Sequence, residues 1–104
     1  MNQDKKNDQE KQSPQEPGKI KDLCYYFLNL LSAKAWQYLG LIVHPETGQI
    51  LVDLEEARKA IDLYSVILGE IKKDLSRDEN RELEAHLANL QLNFIEKMKE
   101  IAES

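Results

Sequence analysis

The chain has 104 residues, about a third of them charged, and a formal net charge of −5. That length holds one domain with one core, and the acidic balance argues against partners built on phosphate, whether nucleic acid or an anionic membrane surface. Cys24 is the only cysteine, so a disulfide within the chain is excluded. One thiol and no export signal point to the reducing cytoplasm. Cys24, His44 and His86 share no metal-ligand spacing, so no metal and no cofactor is expected.

Residues 1–19 hold four lysines and four acids and no hydrophobic residue after Met1. Such a stretch cannot bury enough surface to offset its ordering entropy and reads as a disordered polar tail. The folding part is then a single helical domain, residues 20–104. A core this small gains from self-association.

A first helix is predicted from Ile20 to Leu39, stopped by Gly40. Ile20, Leu23, Phe27, Leu31, Ala35 and Tyr38 recur at spacings of three and four, and Cys24, Leu28 and Leu39 widen that stripe. The opposite side holds Tyr25, Tyr26, Asn29, Ser32, Ala33 and Trp36. Between Leu23 and Gly40 the only charge is Lys34, so this helix should be buried on more than one side. Leu23 to Val43 is long enough to span a bilayer, but Asn29, Ser32, Lys34 and Gln37 interrupt it, and no integral membrane span is expected.

Leu41-Ile42-Val43 and Ile50-Leu51-Val52 are short β-prone runs around the turn-forming Pro45-Glu46-Thr47-Gly48. They suggest a small β-hairpin between the first and second helices, with an irregular loop as the alternative.

The second helix should start at Asp53, an N-cap with Glu56 three residues on. Ala57, Ile61, Tyr64, Leu68, Ile71 and Leu75 then form a seam without a miss, with Leu63 and Ile67 on its flank. Gly69 weakens this helix, and a close helix crossing would explain it. Ser76-Arg77-Asp78-Glu79 is a capping box opening the third helix, whose seam is Leu83, Leu87, Leu90, Phe94, Met98 and Ile101. A link of about two residues makes the second and third helices an antiparallel hairpin. The expected fold is all-α: a three-helix unit forming a dimeric helical bundle. Three helices cover only part of so apolar a first helix. Tyr25, Tyr26 and Trp36 are therefore the expected homodimer interface.

Leu39-Gly40, Pro45-Glu46-Thr47-Gly48, Asp53-Leu54 with Ala57, Ile61-Asp62-Leu63, and Leu75-Ser76 with Glu79, Leu83, Leu87, Leu90 and Phe94 follow one another in a characteristic order. Together with Phe27, Leu30 and Ala35 they resemble the bacterial domain-of-unknown-function family numbered 1844, over about residues 23–98. Two places depart from that family. Glu70-Ile71-Lys72-Lys73-Asp74 stands where members tend to have a Lys-Thr-Lys-Gly-Asn-like stretch, and Leu90-Gln91 stands where they tend to have Leu-Arg. The resemblance implies small soluble bacterial proteins with a polar N-terminal tail and implies no activity.

No residue pattern specifies catalysis. Asp62 and Glu70 are about two helical turns apart, too far to share a proton. Asp62, between Ile61 and Leu63, reads as a capping, paired or solvent-facing acid. His86 reads as solvent-facing, His44 as a turn residue and Cys24 as a small buried hydrophobe. There is no phosphate-cradling glycine loop, no G-x-S-x-G and no H-E-x-x-H. Trp36 with Tyr25 and Tyr26 lacks the basic patch that nucleobase stacking needs.

The sequence thus favours a non-enzymatic protein–protein interaction or structural module, homodimeric through its first helix and open to an unidentified protein partner. The alternative is a small-ligand binder or minor enzyme with a pocket near the 40–53 loop, built from Pro45, Thr47, Gly48, Asp53 and Asp62. Reversible membrane-surface association through the first helix is a third reading.

Overall fold

The computed structural model describes residues 18–104, which form α1 (Ile20–Tyr38), α2 (Leu54–Ile71) and α3 (Arg77–Glu103). All but the last two residues of the polar segment 1–19 lie outside the described residues. A 3-10 turn, Lys72–Asp74, follows α2 directly, and Leu75 and Ser76 complete the link to α3. The connection is therefore longer than the two residues read from sequence.

The second helix forms as its pattern requires. The Asp53 carboxylate accepts from the Glu56 N–H at 3.2 Å, and the seam of Ala57, Ile61, Tyr64, Leu68, Ile71 and Leu75 is buried throughout. Leu28 and Ala35 of α1, Ala60 of α2 and Leu90 of α3 complete the core around it. Full burial of each large side chain contributes roughly 1.5–3 kcal/mol. The capping box opens α3 as expected: the Glu79 N–H donates to Ser76 Oγ at 3.1 Å, and the Ser76 N–H donates to Glu79 Oε1 at 2.8 Å. Gly69 does not mark a close crossing, since a Cβ there would meet nothing within 4 Å.

α1 is turned relative to its predicted seam. Of the predicted stripe, Cys24, Leu28, Leu31, Ala35, Tyr38 and the C-cap Leu39 are buried or half-buried and are joined by Tyr25, Ser32, Trp36 and Gln37, whereas Ile20, Leu23 and Phe27 are exposed. At 100° per residue the buried stripe lies about 70° from the predicted one, toward Tyr25 and Trp36. The cause is that α1 meets two neighbours. Leu28 and Ala35 join the α2 core, while Ser32 and Trp36 reach His86 of α3.

The β-hairpin expected between the first two helices is not formed. Only His44 and Gln49 make a β-bridge, and Leu41 to Val43 and Ile50 to Val52 are irregular and exposed. The Pro45–Gly48 turn is present: the Gly48 N–H donates to the His44 carbonyl at 2.8 Å, and Gly48 has φ +70°. Buried His44 holds the segment together. Its Nε2 donates to the Leu51 carbonyl at 2.9 Å, and its ring lies edge-on to Tyr38 at 4.9 Å. Those contacts favour an irregular return over a regular ladder. At its start Gly40 adopts φ +80°, and a Cβ there would sit 2.6 Å from Val52 Cγ2. Glycine is needed at that point for both conformation and approach.

Candidate functional site

Polar side chains gather where α1 and α3 converge over α2. A cleft of about 620 Å³ there is lined by Tyr25, Asn29, Tyr64, Glu82, His86 and Asn89, among others. His86 is half-buried, not solvent-facing as its sequence position suggested. Its Nε2 shares a 2.6 Å hydrogen bond with Ser32 Oγ. Its ring centroid is 5.7 Å from that of Tyr64 and 6.3 Å, edge-on, from that of Trp36.

Burial pushes the Tyr64 phenol up to about 12, with the neighbouring Tyr25 adding to the shift. Burial also raises Tyr25, and the carboxylates of Glu79 and Glu82 add to that. Both phenols therefore remain protonated donors at neutral pH. A serine hydroxyl at hydrogen-bond distance from an imidazole is the geometry from which nucleophilic sites are assembled. Here Ser32 is buried within α1, and among the described residues His86 has no hydrogen bond to a carboxylate that would orient it. What the pair does in this geometry is tie α1 to α3 across the cleft.

A second, more apolar groove of about 400 Å³ runs between α2 and α3, lined by Arg58, Ile61, Asp62, Phe94, Ile95 and Met98, among others. Asp62 is on its rim, exposed and 4.0 Å from Arg58. The other members of the suggested polar cluster do not join it. Asp53 caps α2, and Pro45, Thr47 and Gly48 are exposed in the turn. Nine residues of helix separate Asp53 from Asp62, about 13 Å of rise. The 40–53 loop and Asp62 are thus separate features.

The suggested interface trio is also divided. Tyr25 and Trp36 are half-buried against the core of their own chain, and only Tyr26 is exposed. Taken around the helix, the outer side of α1 instead carries Ile20, Leu23, Tyr26, Phe27 and Leu30, which are 70%, 47%, 59%, 42% and 49% exposed. They fall within an arc of about 120°. This face ends at Lys34, which pairs with Glu46, and at Gln37, which is buried. Sequence reasoning missed the α1–α3 cleft. Its signal was a match between Tyr25, Asn29, Ser32 and Trp36 on one helix and Glu82, His86 and Asn89 on the other, all at helical spacing.

Among the described residues the fold and these sites define a three-helix protein with a polar cleft on one side of α1 and an exposed apolar face on the other. The DUF1844 family, a domain of unknown function, matches residues 22–96, and the chain belongs to it. No curated protein and no solved structure matches the chain. Among the described residues no helix is long and apolar enough to cross a membrane.

Proposed function

We propose that this protein is a non-enzymatic interaction module that works as a homodimer joined through α1. The unit is a single helical domain, residues 20–104, in which α2 and α3 form an antiparallel hairpin. The Lys72–Glu84 ion pair at one end and the shared Ile61–Phe94 groove at the other support that arrangement. The observation that carries the reading is the outer face of α1, five large apolar side chains that the other described residues leave exposed. Contiguous apolar patches of about 300–600 Å² are commonly functional. The lone half-buried thiol of Cys24 supports a cytoplasmic setting.

Light scattering at micromolar concentration tests the proposal. The expected mass is twice that of the 12.1 kDa chain, and a monomer overturns it. Leu30→Asp should shift the dimer to monomer with its helical circular dichroism retained.

One observation favours a second reading, a small-ligand binder. The α1–α3 cleft presents two phenols, a carboxylate, an imidazole and two amides to one space, a lining suited to a hydrogen-bonding organic cation. A thermal-shift screen of small organic amines that finds no stabilisation sensitive to His86→Ala removes that reading.

A further inference from the structure

We propose that the outer face of α1 is a self-complementary docking surface for a second copy of the chain in antiparallel orientation, with the two-fold axis passing between Tyr26 and Phe27. This inference rests on the self-association reading above and adds its geometry. The carrying observation is the symmetry of the exposed stripe. Leu23, Tyr26, Phe27 and Leu30 read leucine, aromatic, aromatic, leucine, with two intervening residues on each side. The pattern is the same in either direction.

A two-fold interface places each residue against a different residue of the other copy, and that contact occurs twice. Antiparallel pairing about this centre sets Leu23 against the second copy's Leu30 and Tyr26 against its Phe27. It also sets Ile20, the most exposed of the five, against the small Ala33, so that a large side chain meets a small one. These contacts span about 20 Å of helix. The aromatic pair falls at the centre, where interface energy concentrates.

Charge is confined to the ends of this stripe. No charged residue lies between Leu23 and Ala33. In this register Lys34 falls opposite Lys19 of the other copy, with Asp22 about one turn further on, and the charge of Lys34 is already matched by Glu46 of its own chain. Antiparallel helices also oppose their dipoles, whereas a parallel pair aligns them. The five side chains expose on the order of 600 Å² per copy, against about 800 Å² per partner in a standard interface.

The test is site-directed cross-linking in a Cys24→Ala background, with Leu23→Cys and Leu30→Cys made as separate proteins and treated with a short bismaleimide. The expected result is a strong cross-linked dimer only after the two proteins are mixed and allowed to exchange. Self-linking of Leu23→Cys alone indicates a parallel pair and overturns this inference while leaving self-association intact. A dimer by light scattering with no cross-link in any combination places the interface elsewhere and also overturns it. A native monomer overturns both readings, and a monomer that floats with phosphatidylcholine vesicles assigns the face to lipid. If cysteine at these positions dissolves the dimer, Leu23→Glu and Leu30→Lys decide. Each alone should be monomeric, mixing should restore a dimer, and failure to restore it overturns the antiparallel pairing.

Discussion

Ser32 and His86, 54 positions apart in sequence, share a 2.6 Å hydrogen bond that closes one side of the α1–α3 packing. Ser32 is buried and His86 half-buried, so neither polar group exchanges its partner freely for water. Ser32→Ala should cost about 1–2 kcal/mol, because the imidazole then lacks its partner in a partly dry site. His86→Ala should cost more, since contacts with Trp36 and Tyr64 are lost as well. The double variant should fall short of the sum by about 1 kcal/mol. Urea unfolding with an unchanged m value checks this, and strict additivity would show that the two groups do not interact.

Two glycines should respond in opposite directions to alanine. Gly69 sits in α2 with open space where a Cβ would go, so Gly69→Ala should stabilise by about 0.4–1 kcal/mol through helix propensity and a less flexible unfolded chain. Gly40 has φ +80° and would drive its Cβ into Val52, so Gly40→Ala should destabilise by about 1–3 kcal/mol. Thermal melts of the two variants against the native chain read the contrast directly. A destabilised Gly69→Ala would mean that this surface is covered by something outside the described chain.

The start of α3 depends on a reciprocal pair. Ser76 satisfies the Glu79 N–H, and Glu79 satisfies the Ser76 N–H. Ser76→Ala should cost about 1 kcal/mol, whereas Ser76→Asp should retain most of the cap. Amide hydrogen exchange localises the effect: protection should fall in the first turn of α3 and hold near Leu90. Uniform loss of protection along α3 would instead mean that the cap governs the whole helix.

How far the sequence could be read depended on how much each helix is charged. α2 has charges on its outer faces, so its apolar seam could be placed without ambiguity, and every seam residue is buried. α1 is nearly free of charge, so periodicity left several orientations equally good. Packing against both α2 and α3 decided among them, and it turned Tyr25 and Trp36 inward and Leu23 and Phe27 outward. The irregular 40–53 segment was hidden for a different reason. Its β-prone runs predict a ladder, but the buried ring of His44 bonds the Leu51 carbonyl and organises the segment around a side chain. The α1–α3 cleft could have been found only by comparing the polar spacings of two separate helices, which a reading of one helix at a time does not do.

Tyr64 links the core to alkaline stability. It is among the largest fully buried side chains, and its phenol is pushed up to about 12, first by burial and then by Tyr25. A phenol is neutral while it keeps its proton, and in an unfolded chain it gives that proton up near pH 10. The folded state thus holds the proton more tightly than the unfolded state does. The stabilisation is fully present below about pH 10 and is lost as pH rises through about 12. Tyr25 is raised as well and acts in the same direction. Thermal melts followed by circular dichroism across this range should show melting temperature falling above about pH 10, with tyrosinate absorbance rising as the protein unfolds. Tyr64→Phe removes the titrating hydroxyl but keeps the ring, so its melting temperature should fall less steeply over the same interval. An equally steep fall in Tyr64→Phe would show that the alkaline transition is driven by other groups and that the buried phenol is not its source.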